Sequence, residues 1–82
     1  MAQIRLQILT PEETVLDRMV DAAVFPGRTS PFEVLPGHAP ILSSLERGAI
    51  TWQAAGEPEG RLEIASGFVE VKDNQVIAAV ER

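Results

Sequence analysis

The chain has 82 residues, no cysteine and a formal net charge of −5. This acidic balance argues against binding to nucleic acid, which needs a basic stripe, and against adsorption to anionic lipid. The lack of cysteine excludes disulfides and thiolate metal sites, so a small apolar core must hold the fold by itself.

No segment has the character of a membrane span or a secretory signal. The longest apolar run, 76–80, is far shorter than the roughly 20 residues of a spanning helix. The first residues lack a basic region followed by an apolar one. We therefore expect a soluble protein that reaches a membrane only through another protein.

The first third of the sequence shows the alternation of half-buried strands. Ile4, Leu6 and Ile8 alternate with Arg5 and Gln7, which is the period of a β-strand. The following Thr-Pro pair ends this strand, because proline restricts the residue before it and lacks a ladder donor. Further strands are predicted at 14–16, 20–25 and 32–35.

Two X-Pro-Gly-X segments occur at residues 25–28 and 35–38. They are Phe25-Pro26-Gly27-Arg28 and Leu35-Pro36-Gly37-His38. Proline at the second position and glycine at the third predict a type II turn in both. Two stiff turns make an ordered loop, and such loops commonly present residues to a partner.

The segment after the second turn predicts a short helical turn near residues 40–46. Pro40 suits the start of a helix, and Ile41, Leu42 and Leu45 then share one face. Gly48 follows as the stop signal. If Leu42 is buried there, its replacement by Ala is expected to cost about 2–4 kcal/mol.

The second half of the sequence predicts a further set of strands. Asp73 and Asn74 tolerate positive φ and form a two-residue hairpin loop, 54–60 forms a surface loop, and the Ser66-Gly67 pair interrupts a strand. Trp52 is expected in the core or at its edge. The predicted strands are 50–53, 61–65, 68–71 and 76–80.

This pattern amounts to seven to nine short strands spaced about ten residues apart, with turn residues between them. The sequence therefore predicts one all-β domain over 1–82, a sandwich or a barrel, with the single helical turn near 40–46.

The residues do not assemble into a familiar catalytic site. A Ser-His-Asp arrangement could be formed from Ser43, His38 and Asp17 or Asp21, but no Gly-x-Ser-x-Gly elbow supports it. No glycine-rich phosphate loop is present. His38 has two comparable interpretations, a local hydrogen bond that stiffens its turn or an exposed contact with a protein partner.

Four sequence blocks together carry a family resemblance. The run Leu35-Pro36-Gly37-His38-Ala39-Pro40-Ile41-Leu42 follows an earlier Pro26-Gly27. Ile8-Leu9-Thr10-Pro11-Glu12 precedes them, and Ser66-Gly67-Phe68-Val69-Glu70-Val71 with Asn74 follows. In this order the blocks resemble the epsilon subunit of F-type ATP synthases over essentially the whole chain.

The resemblance implies a β-sandwich of about eight to ten short strands. It also implies a non-catalytic rotor subunit in the central stalk of a proton-translocating synthase, bound to the gamma subunit and the c-ring. Such a subunit binds no nucleotide, metal or other cofactor in this domain, is a monomer when isolated, and does not insert into the membrane. It would lie peripherally on the cytoplasmic face of the bacterial inner membrane, or on the thylakoid membrane of a plastid.

The family's contact positions can be carried over residue by residue. Arg28, Thr29, Ser30 and Pro31 occupy the position that faces the c-ring, and Thr10, His38 and Ser43 match positions that face gamma. Ser30 and Glu33 stand where the family commonly has glycine, and Ser66 replaces the first glycine of a usual pair. The resemblance thus leaves the backbone path of this loop open.

Many family members continue into a C-terminal pair of helices that can inhibit ATP hydrolysis. This sequence stops at Arg82, where that pair would begin, so we expect no inhibition by helix insertion. Two alternatives remain at this point. One is a stand-alone β-sandwich adaptor of another complex, and the other is a small hydrolase in which Ser43 and His38 approach within hydrogen-bond reach.

Overall fold

A computed structural model describes residues 2–82 and contains nine β-strands there, with no helix in this range. The prediction of an all-β sandwich is confirmed. The strands are β1 (Ile4–Leu9), β2 (Thr14–Val20), β3 (Ala22–Phe25), β4 (Phe32–Val34), β5 (Ile41–Leu45), β6 (Gly48–Gln53), β7 (Gly60–Ile64), β8 (Ser66–Lys72) and β9 (Gln75–Glu81).

The strands form two sheets that enclose the core. The five-stranded sheet has the order β2-β1-β9-β8-β5, and the four-stranded sheet has the order β4-β3-β6-β7. β1 and β9 are parallel, whereas the other neighbours within each sheet are antiparallel. The first and last strands of the described chain therefore lie side by side within one sheet.

The core is formed by alternate residues of the strands, as period-two packing requires. Phe25 is fully buried, and its ring stacks on Phe32 with the centroids 5.6 Å apart. Trp52 is half-buried and packs against the rim of the core, as expected from the sequence. The buried cluster comprises Ile4, Leu6, Ile8, Val20, Ala23, Phe25, Val34, Leu45, Ile50, Ile64, Val69, Val71, Val76, Ala78 and Val80.

The helical turn predicted near residues 40–46 is wrong, because Ile41–Leu45 is a strand. It pairs antiparallel with β8, with Ile41 opposite Val71 and Leu45 opposite Gly67. The backbone of β8 needs a hydrogen-bonding neighbour on this side, and a proline just before an edge strand is well tolerated. Leu42 consequently points away from the core, so its predicted burial is also wrong.

Only one of the two predicted type II turns is present. In the 35–38 turn Gly37 has φ of +84°, and the His38 N–H donates to the Leu35 carbonyl at 3.1 Å. At the earlier Pro-Gly pair, the Gly27 N–H instead donates to the Phe25 carbonyl at 3.0 Å, which makes a three-residue turn.

Gly27 is needed for close approach and not for a positive φ. It pairs with Leu45 across to β5, which ties the chain leaving the four-stranded sheet to the edge of the other sheet. A Cβ at this position would meet the Ser30 carbonyl oxygen and would lie 2.8 Å from the Phe32 ring. The tertiary contact, and not the local preference of a Pro-Gly pair for a type II turn, therefore determines the backbone conformation here.

The hairpin predicted at Asp73 and Asn74 is confirmed, with φ of 51° and 61° at the two residues. Such values characterise the primed turns that join antiparallel strands. The interruption predicted at Ser66-Gly67 is wrong, because both residues belong to β8. The break lies at Ala65, where the chain passes from the four-stranded to the five-stranded sheet.

Polar contacts link the two sheets at one side of the sandwich. Arg18 on β2 donates to both carboxylate oxygens of Glu57, at 2.8 and 2.7 Å, in the loop between β6 and β7. The Asp21 carboxylate accepts from the Ala55 N–H of the same loop at 2.7 Å. The loop is thereby held against the edge of the five-stranded sheet.

Two leucines of one strand provide a matched test of the strand assignment. We predict that Leu45→Ala lowers the free energy of unfolding by about 2–5 kcal/mol, whereas Leu42→Ala changes it by less than about 0.5 kcal/mol. The reason is that Leu45 is 4% exposed and Leu42 is 74% exposed. Urea unfolding followed by tryptophan fluorescence measures both. Equal losses of unfolding free energy in the two variants would contradict the strand and favour the helical turn.

The Arg18–Glu57 pair predicts a pH dependence. The hydrogen bond from Arg18 lowers the pKa of Glu57. A carboxyl whose pKa is lower in the folded protein stabilises the fold above its unfolded pKa, and this contribution is lost as the pH falls through the folded pKa. The deficit in thermal midpoint of Glu57→Gln should therefore be present at pH 7, should begin to shrink as the pH approaches the unfolded pKa of about 4.3, and should vanish only below the lower pKa of the folded protein.

Glu59→Gln is the matched control, because it removes the same charge from the same loop and Glu59 belongs to none of the ion pairs of residues 2–82. A pH-independent deficit of equal size in both variants would show that the ion pair does not stabilise the loop.

Candidate functional site

The outward side of the five-stranded sheet carries a row of mainly apolar residues. Ser44 lies opposite Phe68, Phe68 opposite Ala79, and Ala79 beside Leu9, so these four residues cross β5, β8, β9 and β1 in register. In the neighbouring row the exposed Glu70 lies between Leu42 and Ile77. We use the term outer face for Leu9, Leu42, Phe68, Ile77 and Ala79.

The outer face is largely open to solvent. Leu42 is 74% exposed, Phe68 is 59% exposed and Ile77 is 38% exposed, although the strand neighbours Val69 of Phe68 and Val76 of Ile77 are fully buried. Scattered apolar residues are normal on protein surfaces, but a cluster of large exposed apolar residues on one sheet commonly marks a protein contact. The geometry of this face therefore suits docking.

The sequence alone predicts no contact role for the outer face. It predicts strand positions for Phe68 and Ile77 and a core position for Leu42. A signal was nevertheless available, because Phe68 is out of phase with Val69 and Val71, as Ile77 is with Val76. Large apolar residues in the solvent phase of an alternating strand indicate a surface that another molecule covers.

A groove of about 710 Å³ opens at one end of the outer face. It is lined by Thr10 and Arg28 together with residues of β5, β8 and β9. The structure thus brings together two residues that the resemblance assigns to different partners, Thr10 to gamma and Arg28 to the c-ring. The Thr10 Oγ accepts the Glu13 N–H at 3.2 Å, which holds the turn after β1.

His38 lies at the opposite end of the outer face, beside the β8–β9 hairpin turn. Its half-buried ring donates from Nδ1 to the Ala39 carbonyl at 2.7 Å, because a carbonyl oxygen can only accept. Within residues 2–82, Nε2 has no hydrogen-bond partner. The ring is therefore fixed by a local hydrogen bond, as the first interpretation from the sequence expects, and its role as a partner contact stays a prediction.

Ser43 and its neighbour Ser44 point to opposite sides of β5. Ser43 lies opposite the buried Val69 and its hydroxyl donates to the Ser44 carbonyl at 3.2 Å, whereas Ser44 lies opposite the exposed Phe68. Thr10, Ser43 and His38 are thus spread along the length of the sheet and do not form one cluster. Ser44 occupies the outward position next to Ser43.

The loop of residues 28–31 joins β3 to β4 and is fully exposed. The Arg28 N–H donates to the Ser44 carbonyl at 3.0 Å, which fixes the start of the loop against β5. None of the ion pairs in the described chain includes the Arg28 side chain. Ser30 and Glu33 have negative φ, so the backbone does not require the glycines common at these positions in the resembling family.

The arrangement offers little to a catalytic mechanism. His38 and Ser43 each bond to a backbone carbonyl, and no hydrogen bond joins them in the part of the chain that the structure covers. Over the same residues, no group of three His, Cys, Asp or Glu side chains could hold a metal ion. None of the described segments is a helix of the length and apolarity that crossing a membrane would need.

Similarity to proteins of known sequence covers almost the whole chain. The chain is 40% identical over 81 residues to the ATP synthase epsilon chain of Myxococcus xanthus, covering 99% of this chain and 59% of the relative. It is 42% identical over 71 residues to the corresponding protein of Granulibacter bethesdensis, covering 87% of this chain and 53% of the relative. The chain thus spans little more than half the length of these relatives.

Similarity to solved structures covers the full fold. A chain in the cryo-EM structure of the Euglena gracilis mitochondrial ATP synthase, comprising OSCP, F1 and the c-ring, superposes with a TM-score of 0.92 and 25% identity, over 100% of this chain and 52% of that one. A chain in the central stalk and c-ring of the Tetrahymena thermophila mitochondrial ATP synthase gives a TM-score of 0.84 at 16% identity, over 99% of this chain and 65% of that one, which shows the fold.

A family model matches residues 3–82, and its description is the β-sandwich domain of the ATP synthase delta/epsilon chain. The chain belongs to this family.

Proposed function

We propose that this chain is a non-catalytic docking subunit in the central stalk of a proton-translocating F-type ATP synthase. In this role residues 1–82 act as one docking domain that links the gamma subunit to the c-ring. The family match and the superposition on a chain of a complete F1/c-ring assembly support the proposal. The observation that carries it in this chain is the exposed apolar outer face.

The outer face is the proposed surface for gamma. Phe68 lies in one row, and Leu42 and Ile77 lie on either side of Glu70 in the adjacent row, so a partner surface that covers all three must also accommodate the Glu70 carboxylate. Burial of such side chains stabilises a complex by roughly 25 cal/mol of binding free energy for each Å² of apolar area removed from water. His38 and Thr10 flank the face at its two ends, where the free Nε2 of His38 can accept a hydrogen bond from the partner.

The 28–31 loop is the proposed surface for the c-ring. It lies beyond the end of the outer face, and Arg28 is exposed and outside the ion pairs of the described residues. A free guanidinium presents a fan of donors that suits the carbonyl and carboxylate oxygens of polar loops. The groove between Arg28 and Thr10 then lies where the two proposed partners meet.

In this proposal the domain transmits torque and performs no bond chemistry. Proton flow turns the c-ring, and the docked chain moves with gamma as a rigid body because its two sheets share one close-packed core. The complex holds it peripherally at the membrane, on the cytoplasmic face in a bacterium or on the thylakoid in a plastid. The hydrolase alternative loses support, because Ser43 and His38 bond separately to the backbone.

Replacement of Phe68 tests the gamma surface. We predict that Phe68→Ser raises the dissociation constant for a purified gamma subunit of the F-type ATP synthase family on the order of 10-fold, because a central apolar anchor is lost. The thermal midpoint of the isolated chain should change little, since the side chain is 59% exposed. Isothermal titration calorimetry and a thermal melt measure the two quantities.

Met19→Ser is the control for this experiment, since Met19 is also exposed but lies on β2, at the far edge of the same sheet. It should leave gamma binding unchanged. Equal binding by the wild-type chain and Phe68→Ser would show that the outer face is not part of the gamma interface.

Replacement of Arg28 tests the c-ring surface. Arg28→Ala should weaken retention of the chain by a detergent-solubilised c-ring with gamma attached, because a polar contact of the exposed loop is lost. Its affinity for gamma alone should be unchanged, and so should its thermal midpoint. Co-sedimentation and calorimetry separate these effects. Thr29→Ala, in the same loop, is the comparison, because it removes a hydroxyl and keeps the charge. If Thr29→Ala weakens retention by the c-ring more than Arg28→Ala does, the role of the guanidinium is contradicted.

A further inference from the structure

Three separate parts of the chain meet at Asn74. Its side-chain Oδ1 accepts the Gly37 N–H at 2.7 Å, and its carbonyl accepts the Arg5 N–H at 2.9 Å. Asn74 itself lies in the turn between β8 and β9. A single residue thus connects this hairpin with the start of β1 and with the 35–38 turn that presents His38.

The residue type at this position serves two requirements. Asn74 has φ of 61°, in the left-handed region that glycine adopts without strain and asparagine tolerates. Glycine is favoured at the second central position of a primed hairpin turn, and the preceding Asp73 has positive φ as well. Glycine would satisfy the backbone but could not accept the Gly37 N–H, so the side-chain oxygen accounts for asparagine here.

The bond to Gly37 connects the 35–38 turn directly to the hairpin end of the five-stranded sheet. The hydrogen bond from His38 to Leu35 closes the turn internally but does not set its position on the sandwich. The turn lies in the connection from β4 to β5, which belong to different sheets. The hydrogen bond from Gly37 to Asn74 joins that connection to the hairpin end of β8 and β9, 37 residues away in sequence.

We propose that Asn74 is a positioning residue, which acts through the Gly37 N–H to hold His38 beside the outer face in a geometry ready for its partner. This inference deepens the proposed function and rests on it for the identity of the partner. Asn74 need not touch the partner. Its contribution is to reduce the conformational freedom that the 35–38 turn would otherwise lose on binding.

Two variants separate the acceptor from the backbone conformation. Asn74→Gly keeps the positive φ and removes the oxygen, whereas Asn74→Asp keeps both the tolerance of positive φ and an oxygen acceptor. In Asn74→Gly we expect the Gly37 amide to exchange faster with solvent deuterium and the His38 ring signals to shift, by NMR of the isolated chain. Asn74→Asp should restore both readouts, and the hairpin amides should remain protected in both variants.

Binding to the purified gamma subunit provides the second readout. Asn74→Gly should raise the dissociation constant about 2- to 10-fold, the range that a single hydrogen bond supports, and Asn74→Asp should rescue it. In a double-mutant cycle, Asn74→Gly should have little further effect once His38 is replaced by alanine, because it acts through His38.

These measurements distinguish a failure of the positioning role of Asn74 from a failure of the proposed function. Unchanged Gly37 exchange in Asn74→Gly, or an undiminished effect on binding in the His38→Ala background, overturns the positioning role. If neither His38→Ala nor Phe68→Ser weakens gamma binding, the proposed function fails, and the role of Asn74 in holding the turn is then decided by the NMR measurements alone.

Discussion

The parallel pairing of β1 with β9 is the constraint on which both sides of the five-stranded sheet depend. Its register sets Leu6 beside Val76, which are both buried, and Leu9 beside Ala79, which both belong to the outer face. Successive side chains of a strand alternate between faces, so a slip of one residue would expose Leu6 and turn Arg5 inward. The apolar core on one side is therefore what fixes the arrangement of the outer face on the other.

This alternation divides the apolar residues into two groups with different roles. Leu45 and Val69 hold the sheets together, whereas Leu42 and Phe68, on the same two strands, contribute little to the core and remain available to a partner. The ends of the face are set by contacts within the chain. Residue 28 is tied to β5 through its backbone, and the turn before His38 is tied to Asn74.

The elements that could be predicted from the sequence are those in which local pattern and tertiary environment agree. The alternation of β1 and β9 and the turn at Asp73 and Asn74 belong to this group. In β5, the apolar residues at 41, 42 and 45 fit one helical face, and only pairing with the free edge of β8 makes this segment a strand and turns Leu42 outward. The contacts of Gly27 with Leu45, and of Asn74 with Gly37, join residues distant in sequence, so no local signal could reveal them.

The position of β1 also has a consequence for the order in which the molecule can be assembled on the ribosome. One edge of β1 can pair with β2 as soon as both have left the exit tunnel, but its other edge waits for Gln75–Glu81, with Arg5 finally paired to Gln75. Pairing across such a sequence separation is slow, and an unpaired strand edge invites association with other nascent chains. The hydrophobic interior of the five-stranded sheet therefore closes only when nearly all of these residues have been synthesised.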